Sequence, residues 1–182
     1  MSEILDSGKR REWESGAVRD NSQGKGRCDL LPLGIIAVDA ERGMDRVMIG
    51  LDKFLLGEGD ERELYKVLHI FCQLREWEWE TMLLEVAIHM ENALVKYPER
   101  NWEKGIPVHS YIDSAVRHYL KWRRGDEDEP HDRAFCWNVL AMLWTMQNKP
   151  EMDDRPGKRW RTDLTDLKEE GKSELWDLLK LE

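Results

Sequence analysis

The sequence of 182 residues has few cysteines, no long apolar run and no excess of basic charge. Its three cysteines, Cys28, Cys72 and Cys136, are far apart, which argues against a disulfide framework and a CxxC zinc motif and favours reduced intracellular thiols. No apolar run approaches the roughly 20 residues that a membrane helix needs. The first residues also lack the basic and apolar segments of a secretion signal. We therefore expect a cytoplasmic protein that does not enter a membrane.

The charge balance is acidic, because 28 Lys+Arg stand against 37 Asp+Glu and give a formal net charge of -9. Nucleic-acid binding needs a basic field or at least a basic face, so direct binding of DNA or RNA is not expected. A free nucleotide is compatible with this charge. A few local cations or a bound metal ion can reverse the sign of the potential inside a cleft.

The apolar pattern predicts one all-α domain between two polar segments. We interpret residues 1–29 as a polar, extended N-terminal arm, residues 30–149 as the helical domain and residues 150–182 as a tail with a short amphipathic helix near 175–179. Glycine and proline breaks predict helices at about 31–42, 44–56, from 60 onwards, and at about 77–96, 111–123 and 130–147. No strand-like alternation of useful length occurs, and we expect the tail to dock on the body or on a second subunit.

Glu91 stands out on the helix predicted at 77–96. On a helical wheel it lies within about 60° of Leu84, Ala87, Ile88, Leu94 and Val95. We interpret a second strip as solvated, formed by Glu85, His89, Asn92 and Lys96. Burying an unpaired carboxylate is costly, so the pattern predicts that Glu91 is protonated, binds a metal ion or pairs with Arg117 or Arg100.

Acidic residues gather just before the helix predicted at 130–147. Five lie within eight positions: Asp126, Glu127, Asp128, Glu129 and Asp132. Carboxylate oxygens are the ligands that Mg²⁺ prefers, so facing helices that bring together Glu91, His118 and this cluster would form a site for phosphate-ester or anhydride hydrolysis. The other interpretation is a solvated helix start that the helix dipole favours.

We predict a loop at 97–107, because Pro98 and Pro107 bracket this segment and Gly105 lies between them. It supplies donors and stacking surfaces suited to phosphate and base: Tyr97, Arg100, Asn101, Trp102 and Lys104. On the next helix Asp113 can pair with Arg117 one turn later. Asn138 is the polar exception in the apolar helix at 130–147 and needs a hydrogen-bond partner on another helix or on a ligand.

Several segments together resemble the phage dATP/dGTP diphosphohydrolase family, in the same order: residues 15–20, 24–32, 96–105, 113–118 and 131–138. The resemblance implies a MazG-like, all-α helical bundle with Mg²⁺ as cofactor. Such an enzyme would convert a purine deoxynucleoside triphosphate to its monophosphate and pyrophosphate. In phages whose DNA carries 2-aminoadenine, it would remove dATP and supply dGMP. The resemblance also implies a homo-oligomer in the host-cell cytoplasm.

For an enzyme of this kind, we expect the following roles for individual residues. Substrate binding would fall to Lys25, Arg27, Lys96, Tyr97, Arg100, Asn101, Trp102, Lys104 and Asn138, with the cations on the triphosphate and Trp102 or Tyr97 on the base. Glu91 and His118 would be catalytic, and the metal ligands would be Glu91, Asp128, Glu129, His131 and Asp132.

One departure from the MazG pattern leaves the ligand set open. MazG-like enzymes carry Glu-x-x-Glu and Glu-x-x-Asp pairs, whereas Glu91 has no acid three residues away and the nearest second pair is Asp126 with Glu129. An alternative is an HD-type phosphohydrolase that uses His118 and the adjacent His131 and Asp132 with Mn²⁺ or Co²⁺. A further alternative is a non-catalytic helical module whose Trp-rich faces bind a partner.

Overall fold

The computed structural model describes residues 8–39 and 43–156, and within these ranges it is mainly helical. The helices are α1 (Leu33–Ile36), α2 (Arg46–Leu55), α3 (Glu61–Arg75), α4 (Trp79–Ala93), α5 (Val108–Arg124) and α6 (His131–Asn148). Two small antiparallel hairpins pair β1 (Arg10–Glu12) with β2 (Val18–Asp20) and β3 (Val38–Asp39) with β4 (Gly43–Met44). The predicted all-α class is confirmed, and the predicted tail helix lies outside the described residues. Across the described ranges, every helix is too short or too polar to cross a bilayer.

The first predicted helix is much shorter than expected. The pattern at 31–42 predicted three turns, but α1 ends at Ile36 and the chain turns into β3. The β-branched Val38 suits an extended backbone, and it pairs with Met44 across the hairpin. Local pairing therefore replaces the helix that apolar content alone had predicted.

The core lies where α3, α5 and α6 meet, with α2 and α4 packed on its flanks. Phe71, Tyr119 and Phe135 contribute one ring from each of these three helices, and all three are fully buried. The ring centroids of Phe71 and Phe135 are 4.5 Å apart, and those of Tyr119 and Phe135 are 5.5 Å apart. Close aromatic packing of this kind fixes the helices relative to one another.

The described part of the arm, 8–29, folds onto the helical body. The side chain of Asn101 brackets the strand β2, because its Oδ1 accepts from the Val18 N–H at 2.9 Å and its Nδ2 donates to the Val18 carbonyl at 2.8 Å. Further along, the Cys28 N–H donates to Asp113 Oδ1 at 2.6 Å. These bonds hold the arm against the loop 97–107 and against α5.

Asp45 should contribute strongly to stability, because its carboxylate accepts hydrogen bonds from both α2 and α5. It caps α2 by accepting from the N–H groups of Val47 and Met48, both at 3.1 Å, and it accepts the Tyr119 hydroxyl of α5 at 2.7 Å. We expect Asp45→Ala to lower the free energy of unfolding by about 2–3 kcal/mol, from a lost cap and a lost buried hydrogen bond. Urea denaturation measures this loss. Asp60→Ala, which removes the exposed cap of α3, is the control; an equal loss in both variants would contradict the link to α5.

Candidate active site

A cavity of about 680 Å³ opens between the arm, the end of α4, the loop 97–107, α5 and the start of α6. Its lining includes eight basic side chains: Arg11, Arg19, Lys25, Arg27, Lys96, Arg100, Arg117 and Lys121. Three acidic side chains also line it: Asp20, Asp113 and Glu129. The chain as a whole carries a formal charge of -9, so this cavity has a charge balance opposite to that of the molecule. A concave basic site of this kind favours an anionic ligand.

Arg19 of β2 is one of the cations that line this cavity. Its guanidinium donates to Asn138 Oδ1 at 2.6 Å and to the Ser110 carbonyl at 3.3 Å, and it lies 4.8 Å from the centre of the Tyr111 ring. These partners are all neutral, and in residues 8–39 and 43–156 no carboxylate forms an ion pair with it. Burial lowers the pKa of Arg19 from its ordinary value. A buried cation held by neutral groups favours an incoming anion.

Several other cations of the cavity have acidic neighbours. The predicted pair of Arg117 with Asp113 is confirmed one turn apart on α5. Lys25 Nζ lies 2.5 Å from Asp20 Oδ2, and Arg27 Nη2 lies 2.5 Å from Asp29 Oδ2. These pairs fix Arg117, Lys25 and Arg27 in position, whereas the contacts of the Arg19 guanidinium within the described residues are with neutral groups.

Two histidines and a carboxylate meet at the edge of the cavity. His118 Nδ1 lies 3.0 Å from His131 Nδ1, and Glu129 Oε1 lies 3.5 Å from the first and 3.6 Å from the second. His118 and Glu129 line the cavity, whereas His131 is buried behind them. We name His118, Glu129 and His131 the His–Glu cluster. Burial, followed by the charge of His131, holds the pKa of His118 well below its ordinary value, so this imidazole is neutral near pH 7.

Asp128 supports this cluster from outside the cavity. Its Oδ1 lies 2.7 Å from His131 Nε2, and its Oδ2 accepts from Lys121 at 2.7 Å. The hydrogen bond from Lys121 is the main reason that the pKa of Asp128 lies below its usual range. An ionised carboxylate on Nε2 holds the His131 proton there, which leaves the lone pair of Nδ1 facing His118 and Glu129.

Three buried polar atoms of residues that line the same cavity have no hydrogen-bond partner within the described part of the chain. They are Trp13 Nε1, His89 Nδ1 and Trp102 Nε1. Buried polar groups in folded proteins are almost always paired, so atoms of this kind mark places where a ligand or water completes the pairing. Trp102 is held rigidly here, because its ring centroid lies 4.8 Å from that of Trp144 and 5.6 Å from that of Trp137.

The sequence analysis assigned the wrong face of the 77–96 segment to solvent. His89 and Lys96, predicted as solvated, are buried and line the cavity, whereas Leu84, Ile88 and Val95 are exposed by 68, 41 and 85%. Periodicity shows that α4 has two faces. It does not show which face packs on the chain's own core when the other face is also apolar.

His89 makes the fold sensitive to acid. Burial, with help from Arg133 and Lys96, lowers its pKa to about 4. Below an ordinary pKa of 6.5 the unfolded chain binds this proton while the folded chain resists it down to about 4, so folding stability falls as pH falls through that window. We expect a loss of about 2–3 kcal/mol between pH 7.5 and 4.5 from this residue. Urea midpoints of wild type and His89→Gln at both pH values measure it, and an identical pH slope in the two proteins would contradict it.

Two predicted metal ligands lie elsewhere. Glu91 is exposed on the apolar face of α4 and is not among the residues that line the cavity, so its predicted burial is wrong for the described chain. Asp132 Oδ2 lies 2.9 Å from Arg75 Nη2. Among the described residues, the groups with ligand atoms close enough to share an ion are His118 with Glu129 and His131, and Asp126 with Asp128 and His131. Glu91 and Asp132 belong to neither group.

The predicted substrate-binding residues mostly meet at the cavity. Its lining includes Lys25, Arg27, Lys96, Tyr97, Arg100, Asn101, Trp102 and Asn138. Asn101 and Asn138 use their side chains to position β2 and Arg19, and the Tyr97 hydroxyl accepts from the Asp20 N–H at 2.8 Å. Lys104 does not line the cavity; its Nζ donates to the Gly16 carbonyl at 3.2 Å.

Arg19 and His89 are among the cavity residues that the sequence interpretation missed. Arg19 lies in a polar arm whose sequence has no periodicity. The one feature that could have indicated its role is its position between Val18 and Asp20, in a segment that resembles the diphosphohydrolase family. His89 was assigned to solvent because three polar residues shared its strip.

Comparison with known proteins identifies the family. The family described as dATP/dGTP diphosphohydrolase, N-terminal, matches residues 60–155, which is more than half of the 182 residues. The matched range covers α3 to α6 and therefore includes the His–Glu cluster and most of the cavity walls. No curated protein and no solved structure matches the chain. The family carries the name of an enzyme, and this chain belongs to the dATP/dGTP diphosphohydrolase family.

Proposed function

We propose that the chain hydrolyses purine deoxynucleoside triphosphates, dATP and dGTP, to the monophosphate and pyrophosphate. The observation that carries the proposal is Arg19, a buried guanidinium with neutral partners inside a basic cavity. A triphosphate supplies the negative charge that this position lacks. The family match supports the same class of reaction.

The proposed reaction is a displacement at the α-phosphorus. Water forms the new bond to the α-phosphorus, the bond to the oxygen that bridges the α- and β-phosphorus breaks, and pyrophosphate leaves. Arg19 and Arg117 lie in the same cavity and would donate to phosphate oxygens whose charge grows during the displacement. Fixed donors of this kind lower the barrier because they need no rearrangement during the reaction.

Mg²⁺, the cofactor that the resemblance implied, does not fit the His–Glu cluster as a resident ion. Mg²⁺ prefers oxygen ligands in an octahedron, whereas the cluster offers two imidazole nitrogens and one carboxylate. The second group offers Asp126 and Asp128, but Arg124 and Lys121 already neutralise them. We propose that Mg²⁺ enters this site on the triphosphate, as part of the substrate.

The base would bind at the indole end of the cavity. Trp13 Nε1 and Trp102 Nε1 are buried donors of the cavity lining, and within the described residues neither has a hydrogen-bond partner. Adenine and guanine both carry an N7 acceptor, which pyrimidines lack. A donor placed to meet N7 would favour purines, because the acceptors of pyrimidines lie at other positions of the ring.

A panel of the four dNTPs tests this proposal. With Mg²⁺ present, we expect dATP and dGTP to give the monophosphate and pyrophosphate, with dCTP and dTTP turned over at least about tenfold more slowly, since one hydrogen bond to a base is worth about 1–3 kcal/mol. Release of nucleoside with intact triphosphate would instead support the HD-type reaction. Absence of hydrolysis of all four would support the non-catalytic module. If both purines are substrates, removal of dATP and supply of dGMP for 2-aminoadenine DNA in the phage-infected cytoplasm is the setting we propose.

We also propose that the chain forms a homodimer through α4. Its outer face exposes Leu83, Leu84 and Ile88 around Glu91, and Val95 is exposed just beyond the end of the helix. Contiguous apolar surface of this kind is usually covered by a protein partner. Sedimentation equilibrium gives the test: the proposal expects twice the chain mass of 21.6 kDa, and a monomer at micromolar concentration would contradict it.

A further inference from the structure

We propose that His118, Glu129 and His131 hold one transition-metal ion, of the class of Zn²⁺, Co²⁺ or Mn²⁺, at the wall of the nucleotide cavity. The ligand atoms are His118 Nδ1, His131 Nδ1 and Glu129 Oε1. The proposal adds a resident metal to the proposed function and rests on that function only for the part the ion plays in turnover. Ion binding itself is a separate property of the chain.

The spacing of the three ligand atoms fits a metal ion at their centre. Nitrogen and oxygen ligands lie about 2.0–2.2 Å from Zn²⁺, so the ligand atoms of a tetrahedral site are about 3.3–3.5 Å from each other. The three observed separations are 3.0, 3.5 and 3.6 Å. Small side-chain adjustments would bring all three into the range of a tetrahedral face.

The chemistry of these ligands selects the class of ion. Imidazole is a good ligand for Zn²⁺, Co²⁺ and Mn²⁺ and a poor one for Mg²⁺ or Ca²⁺. Asp128 stands behind His131, with 2.7 Å between its Oδ1 and Nε2. A carboxylate on the outer nitrogen of a metal-binding histidine fixes the tautomer and the ring orientation. His131 is therefore already set to offer Nδ1 as a ligand.

The position of the cluster leaves room for further ligands. His118 and Glu129 line the cavity, while His131 closes the inner side. Three protein ligands with one open side are typical of a catalytic metal site, whereas a structural zinc site is closed by four. The open side faces the same cavity as Arg19, so a water molecule or a phosphate oxygen can complete the coordination.

Cobalt titration of the full-length protein tests the proposal without any activity measurement. After removal of metal by chelation, we expect one Co²⁺ to bind per chain and to give the visible absorption of a site with fewer than six ligands. Glu129→Gln and His118→Asn should lose this absorption. Asp128→Asn should retain the site and weaken the affinity by about 10–100-fold, as expected for a residue that acts through His131. Millimolar Mg²⁺ should not displace the ion.

Two control variants make the titration specific. Glu127→Gln removes an exposed carboxylate two residues from Glu129, and Glu91→Gln removes the ligand that the helical wheel predicted. Both should bind Co²⁺ as the wild type does. Circular dichroism of every variant separates loss of binding from loss of fold. Unchanged absorption in both Glu129→Gln and His118→Asn, or no Co²⁺ binding by wild type, would overturn the proposal. The close approach of His118 and His131 would then be explained by a hydrogen bond between them.

The metal site and the proposed function can fail separately. A chain that binds Co²⁺ through these residues and hydrolyses no dNTP keeps the site and refutes the function. A chelated chain that binds no Co²⁺ yet turns over dATP or dGTP with Mg²⁺ alone keeps the function and refutes the site.

Discussion

Arg19→Gln is expected to lower kcat/KM for dATP and dGTP by about 10²–10³-fold, because the reaction loses a buried donor aimed at the phosphates. The two hydrogen bonds between the Asn101 side chain and the Val18 backbone do not involve Arg19, so the arm should stay in place. The loss should appear mainly in kcat if Arg19 meets charge that grows in the transition state, and mainly in KM if it only binds the ground state. Steady-state kinetics with both purine nucleotides distinguish the two.

Arg27→Gln is the matched control for Arg19. Arg27 lines the same cavity, but it is about half exposed and paired with Asp29. We expect its loss to reduce kcat/KM by less than about tenfold, since exposed ion pairs contribute little. Equal effects of Arg19→Gln and Arg27→Gln, or full activity in Arg19→Gln with an intact fold, would show that the triphosphate lies elsewhere.

Glu129→Gln is expected to lower kcat by about 10³-fold or more while the chain keeps its fold. The substitution preserves the size of the side chain and removes the charge that faces His118 and His131. Loss of a metal ion or of its charge removes several kcal/mol of transition-state stabilisation, and each 1.36 kcal/mol corresponds to about tenfold in rate. Single-turnover rates with saturating dGTP measure this effect without interference from product release.

Glu127→Gln again provides the comparison, because Glu127 is exposed and lies outside both groups of possible metal ligands. It should retain the wild-type kcat within about threefold, as expected for a surface substitution. A Glu129→Gln variant that also keeps wild-type kcat would remove the His–Glu cluster from the catalytic account.

Much of the helical architecture could be predicted from periodicity and helix ends. The helices α3, α5 and α6 have one clear apolar face or are apolar nearly all round, so the start of α3 and the extents of α5 and α6 followed closely from the pattern. The segment 31–42 was misjudged because its apolar residues suit a short helix and a hairpin equally well. The strands β1 and β2 have three residues each, which is too short for any alternation to be recognised.

The candidate site was predicted in part. The loop 97–107 was found because prolines bracket a cluster of donors and aromatic rings. Arg19 and His89 were missed, because their place depends on how the arm and α4 pack on the body. Glu91 was misplaced for the same reason. A wheel ranks the faces of a helix by composition, whereas burial depends on which neighbour covers each face.

Hydrolysis in water enriched in ¹⁸O tests the central claim most directly, namely that the cavity directs water to the α-phosphorus of a purine dNTP. With dGTP as substrate, mass spectrometry of the two products shows which phosphorus received the oxygen from water. The account predicts one ¹⁸O atom in dGMP and none in the pyrophosphate. An ¹⁸O atom in the pyrophosphate, or a reaction that yields no pyrophosphate, would contradict it.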